Sequence, residues 1–196
     1  MDTYLSSLVG KRSWFLRSAG LNFYLVSINI PYIWPYYAPF KAFHGSYCVK
    51  HFRDPDVEFS KCEGCGIYAY KLDCININEI KGGLFGKVNL WGKCIEHELG
   101  YRVEYAYPSE ILKTCCVTCQ QYSLPSVSIF TKCEKYYSIT TYPLQRNPLD
   151  TILYRIFCSH ECVFRWFGDE LISNVEIIDT YEILNSLESS YGVIVR

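Results

Sequence analysis

Phe157-Cys158-Ser159-His160-Glu161-Cys162-Val163-Phe164-Arg165-Trp166 sets two thiols four residues apart at what reads as the start of a helix. Ser159 suits the cap position, where a hydroxyl accepts from an otherwise unpaired backbone N–H, and Glu161 falls in the first turn, where a carboxylate is favoured. Helical pitch turns residues four apart toward one face, so Cys158 and Cys162 are expected to point the same way. Well upstream, Cys116-Val117-Thr118-Cys119 offers a second thiol pair at knuckle spacing. Two such pairs describe a tetrahedral clamp better than a core, and they predict a zinc ion held by Cys116, Cys119, Cys158 and Cys162. Cys115 would fit only with Cys119 as its partner, so Cys116 is preferred.

Working outward, Leu153 to Phe157 reads as a short strand that delivers Cys158. The helix is expected to run on through Val163, Phe164, Trp166 and Phe167 toward Leu171. A second helix is expected within Val175 to Leu187, burying Ile177, Ile178, Tyr181, Ile183, Leu184 and Leu187 as a stripe. Val193-Ile194-Val195 reads as a last short strand. The insertion between the thiol pairs is polar and interrupted by Pro125, Pro143 and Pro148; a strand pair is expected over 126–142, with Cys133 as a spare ligand. The order of Cys-x2-Cys, a long excursion, an aromatic before Cys158 and Cys162 within a helix resembles treble-clef and MYM-like zinc fingers. That resemblance implies a knuckle supplying Cys116 and Cys119 and a helix N-terminus supplying Cys158 and Cys162.

Nearer the N-terminus, Cys48-x2-His51 and Cys62-x2-Cys65 form a second candidate set of four ligands, for which Gly64 and Gly66 allow a tight turn. The bland reading competes here, because a lone buried thiol packs as a small hydrophobe and a loop histidine is usually solvated. His44, Cys74 and Cys94 are spare candidates. Leu21 to Ile28 and Phe40 to Tyr47 have strand composition. Pro31, Pro35 and Pro39 exclude a helix between them and predict an extended course. Residues 1–20 read as either a short helix or a lead-in strand. Cys74 to Ile80 alternates and reads as a strand or strand-edge loop.

Gly86 to Glu98 and Tyr101 to Tyr107 alternate with period two around Leu99-Gly100, which predicts a β-hairpin with a bulge at Gly92 and a stop at Pro108. Glu96, His97, Glu98, Arg102 and Glu104 are expected as charge pairs on its solvated face. Cys65-Gly66-Ile67-Tyr68-Ala69, then Gly86-Lys87-Val88-Asn89-Leu90-Trp91-Gly92, then Glu96-His97-Glu98 with Gly100-Tyr101-Arg102, Glu104 and Ala106-Tyr107-Pro108, resembles a group of small bacterial proteins. Trp34-Pro35 and Cys48 fit the same group, over roughly residues 20–110. Its members often carry two cysteines one residue apart where this chain has Cys62-Glu63-Gly64-Cys65. The group is uncharacterised, so the resemblance implies no activity.

Composition bounds the rest. Aromatic residues make up 17% of the 196, with 18 Tyr, which suits half-buried β surfaces better than long helices. A net charge of −1 provides no global field to recruit nucleic acid or an acidic membrane. No segment approaches the roughly 20 apolar residues of a membrane span, and the first residues lack the order of a signal peptide. Eleven cysteines in such a chain point to metal in a reducing, cytoplasmic setting rather than to disulfides.

The expected fold is α+β. A β-rich half over 1–110, a small barrel or twisted antiparallel sheet, precedes a zinc-stapled treble-clef-like region with C-terminal helices over 111–196. The expected function is that of a non-enzymatic Zn2+ protein that recognises a macromolecule, protein or nucleic acid, away from any membrane. One zinc site is expected and a second is a candidate. Two alternatives stay open: a small enzyme using His97, Glu98 and Arg102 on the hairpin, and a redox sensor built on Cys62 and Cys65.

Overall fold

The structure, a computed structural model of the chain, describes residues 8–19, 21–27, 33–42, 62, 65–74, 82–132, 152–168 and 175–196. Among these, the organising element is a long strand, β6 (Gly100–Cys115). One edge of β6 pairs antiparallel with β5 (Leu84–Glu96) along nearly its whole length. Its other edge is shared by short strands in succession. These are β4 (Ile67–Tyr70) near Gly100–Val103, β3 (Phe40–Lys41) near Tyr105–Ala106, β11 (Ile194–Val195) near Glu110–Ile111 and β7 (Tyr122–Ser123) near Thr114–Cys115.

Strand β1 (Leu8–Ala19) closes the ring. It pairs with β5 through Leu8–Trp14 and meets β4 at Lys11↔Tyr70, and both partners pair with β6. Of the two arrangements expected, a small barrel or a twisted antiparallel sheet, the pairings close the circuit β1–β5–β6–β4 of a small barrel. Beyond Trp14, β1 pairs with β2 (Asn22–Val26) and with β9 (Ile152–Phe157), which in turn pairs with β8 (Ile129–Lys132) and so reaches β10 (Ile177–Ile178). This change of partners is why residues 1–20 read ambiguously. Ser13 and Trp14 are both buried where the strand passes from one set of partners to the next, and the period-two pattern breaks there.

Inside the barrel, Trp14 and Trp34 meet edge to face with centroids 5.7 Å apart, and Trp34 stacks on Phe40. Leu16, Leu25, Leu84, Leu90 and Ile111 fill the space around them. Trp34 Nε1 donates to Ser27 Oγ at 2.9 Å, so the buried indole keeps a partner. Helix α1 (His160–Phe167) carries the second thiol pair, and helix α2 (Thr180–Tyr191) packs Ile183, Leu187 and Tyr191 onto the same core. The Tyr191 hydroxyl donates to Trp34 O and accepts from Leu25 N, fastening α2 to the barrel. β6 runs through the 110/111 boundary expected from the sequence, and the core draws side chains from both sides of it.

Three expectations are corrected. Pro108 does not stop the hairpin, because β6 continues to Cys115. The proline sits beside a register shift at Lys87/Val88, and between the stretches paired with β3 and β11, where its missing N–H is tolerated. The bulge expected at Gly92 is present as the shift between Trp91 and Cys94. Ile177 and Ile178 belong to β10 rather than to a helix, since Asp179 caps α2 by accepting from Tyr181 N at 2.8 Å. The buried stripe of α2 is consequently Ile183, Leu187 and Tyr191, with Tyr181 exposed. Helix α1 ends at Phe167 rather than near Leu171, because Gly168 leaves the helical region at φ 74°.

Arg102 is also not part of a solvated charge pair. It is buried, and its NH1 donates to the Cys62 and Cys65 carbonyls. Glu96 pairs instead with Lys71 at 2.6 Å, and Glu104 accepts from Lys93 N.

The close approach of β5 to β6 depends on Gly86, where an added Cβ would meet Glu110 O at 1.8 Å. Gly192 differs: it has open space around it but a left-handed φ of 61° at the end of α2. Gly86→Ala should therefore destabilise the fold by about 3 kcal/mol or more through backbone overpacking. Gly192→Ala should cost only about 1 kcal/mol. Urea unfolding of the two variants checks the order.

Candidate metal centre

The end of β6 becomes the first half of the site without a break. Cys116 follows directly on Cys115, and the chain turns so sharply that Gln120 N donates to Cys116 O at 3.1 Å and Cys116 N to Gln121 O at 2.9 Å. β7 then pairs back on β6 through Cys115↔Tyr122. The turn requires Gln120 at a left-handed φ of 63°, a conformation usually taken by glycine or asparagine. Val117 N donates to Ile156 O at 2.9 Å, which ties the knuckle to β9, the strand that leads into Cys158.

The second half sits at the head of α1. Ser159 caps the helix by accepting from Cys162 N, as its position suggests, and Glu161 lies in the first turn beside Arg165. Thr118 Oγ1 donates to Cys162 O at 3.0 Å, so the knuckle also holds the first turn of the helix. Phe157, Val163 and Phe167 pack around the thiols and keep most of the cluster from water.

The sulfurs of Cys116, Cys119, Cys158 and Cys162 all lie within 4.8 Å of one another. Cys119 and Cys158 are 3.4 Å apart, and Cys158 and Cys162 3.6 Å. A tetrahedron with metal–sulfur bonds of about 2.3 Å has edges of about 3.8 Å, so the cluster has the dimensions to hold one ion. Cys115, one residue away, is buried on β6 with its Sγ against the Cys116 and Gln120 carbonyls, so Cys116 is the one that joins the cluster.

Electrostatics around the four thiols are uneven. Burial acts to raise the pKa of Cys116, but backbone N–H groups of Cys119, Cys158 and Thr118 point at its sulfur and together lower it to about 7. Burial, and then contact with the Cys119, Cys162 and Cys116 thiols, pushes Cys158 up to about 12. Cys162 is also raised, chiefly by burial. Cys116 is thus poised to ionise before Cys158 and Cys162, and a divalent ion would displace the protons that those two thiols hold.

The remaining candidates are placed differently. Cys62 and Cys65 are buried together against Ile95, with Arg102 holding both of their carbonyls. Cys48 and His51, as well as the spare candidates His44 and Cys133, lie outside the described residues. Cys94 is exposed and Cys74 half-buried, and among the described residues neither joins a cluster of metal-ligating groups. His97 and Glu98 are exposed at the turn between β5 and β6, whereas Arg102 faces the Cys62–Cys65 backbone. None of the nine described cysteines forms a disulfide.

Fold and site together define a strand-rich protein with two helices among its described residues and a four-cysteine cluster that can hold a metal ion. No family model, curated protein or solved structure matches the chain.

The inward N–H groups on Cys116 and the left-handed Gln120 were missed from the sequence. The first is a backbone feature, and the second was hidden because glutamine stands where glycine would have announced the turn. Gln120→Gly should stabilise the fold by about 1 kcal/mol without altering metal stoichiometry, as read by chemical unfolding and metal analysis. Above about pH 7 Cys116 is already ionised, so metal binding releases one proton fewer there than below it. The affinity should fall as pH drops, and its dependence on pH should steepen by one proton below about 7; competition with a colorimetric chelator measures this.

Proposed function

We propose that this chain is a non-enzymatic zinc-binding protein whose metal is a structural staple and whose folded surface recognises a macromolecule, protein or nucleic acid. The observation that carries the reading is the cluster of four thiols, none replaced by histidine, carboxylate or an open position. Four thiolates complete a zinc shell and leave no place for an activated water, which is the arrangement of structural rather than catalytic sites. The order of knuckle, paired strands β8 and β9, and a helix that contributes two ligands supports a treble-clef-like arrangement, in keeping with MYM-like fingers. Thiolate ligands survive in a reducing compartment, which favours the cytoplasm. No helix of the described residues is long and apolar enough to cross a membrane.

A structural zinc contributes on the order of 10 kcal/mol to folding in isolated modules. Removing it should therefore release the segments it joins: hydrogen exchange after chelation should rise in Cys116–Ser123 and in α1, and fall again when zinc is restored. Exchange in those segments that is indifferent to chelation would contradict the staple. Replacement by cobalt(II) should give the intense visible and near-ultraviolet bands of tetrahedral thiolate coordination; a pale octahedral spectrum would contradict the ligand set.

A further inference from the structure

The outer wall of the barrel carries side chains that neither the clamp nor the core uses. Strand register places Lys41, Tyr105 and Trp91 side by side across β3, β6 and β5. The Tyr105 and Trp91 rings are nearly parallel, 13° apart in plane with centroids at 6.2 Å, and Lys41 Nζ stands 5.6 Å from the Tyr105 ring. In the next row Tyr107, Asn89 and Val9 are neighbours, and one row further Lys87 lies beside Lys11. Trp91 and Lys41 are exposed, and the others are half-buried on the same face. Glu104, next to Tyr105, turns its carboxylate toward Gly92, where Oε2 accepts from Lys93 N at 3.3 Å, and Glu110 is the carboxylate of these rows. It is buried and engaged by Lys87 and Arg196 at 2.6 Å each, so it does not cancel the remaining cations. Among the described residues neither Lys11 nor Lys41 meets a carboxylate. A chain with net charge −1 thus concentrates cations and an open aromatic step on one sheet face.

We infer that this face binds single-stranded nucleic acid, with a base stacked on Trp91 beside Tyr105 and phosphates paired with Lys41 and Lys11. The inference rests on the macromolecule-recognition reading above and selects the partner class. Aromatic side chains interleaved with cations on a sheet are what unstacked bases on a polyanionic backbone require. A duplex hides the faces of its bases, so it would use the lysines and not the tryptophan. A protein hot spot would surround the aromatic anchor with apolar or neutral contacts rather than with uncompensated lysines.

The test uses the full chain with its metal content measured, and the fluorescence anisotropy of a labelled oligothymidylate and an oligouridylate of about 12 nucleotides. Binding is expected to weaken steeply with salt. Trp91→Ala should weaken it about ten-fold or more, and Trp91→Phe should restore most of the loss. Lys41→Ala should lower the salt slope by about one. Metal content and circular dichroism equal to wild type show that each variant is folded. No binding at about 100 µM protein would overturn the inference, as would equal binding by Trp91→Ala, or a face that takes up only duplex or a protein. A preparation with zinc but no oligonucleotide binding leaves the staple standing and removes this surface. Trp91-dependent binding by a metal-free preparation does the reverse.

Discussion

Four sulfur atoms drawn onto one small tetrahedron are the constraint around which the C-terminal part of this molecule is arranged. Cys116 and Cys119 come from the turn that ends β6, and Cys158 and Cys162 from the head of α1. Hydrogen bonds hold the two halves together: Val117 N to Ile156 O, Thr118 Oγ1 to Cys162 O, and the Cys158 N–H toward the Cys116 sulfur. A buried thiolate among thiols is a costly arrangement unless the charge has a counter-ion. The knuckle amides and the N-terminus of α1 supply part of that compensation, and a divalent cation would supply the rest.

The clamp is built on the barrel rather than beside it. β6 is the barrel's longest strand, and Cys116 is the residue immediately after it. Strands β8 and β9 join the barrel through β1, and α2 inserts Tyr191 beneath Trp34. Tension or disorder at the clamp would therefore reach the core through continuous extended chain. The same long strand presents the outward row of Tyr105 and Tyr107, so the thiol cluster and the proposed binding face share a single strand.

Much of the site was legible because paired thiols at ligand spacing leave a strong mark on a sequence. Thiols at knuckle spacing, Ser159 as a cap and Glu161 in the first turn read correctly, since each depends on local geometry alone. The β5–β6 hairpin and its bulge at Gly92 were legible for the same reason. What failed depends on partners distant in sequence. β1 lost its alternation because it serves two sets of neighbours. Pro108 looked like a stop because the bulge that accommodates it, at Ser109 on its own strand, exists only in the pairing with β5. Arg102 looked solvated because nothing local reveals that the Cys62 and Cys65 carbonyls fold over it. Gln120 hid a left-handed turn that packing imposes on an unfavourable residue.

The most direct measurement is the metal content of the purified chain, by elemental analysis together with the mass of the intact native protein, compared with a Cys158→Ser/Cys162→Ser variant. The account predicts zinc bound to the wild-type chain, with one equivalent missing from the variant. A wild-type chain that is folded and metal-free, or a variant that keeps every equivalent of zinc, would contradict it.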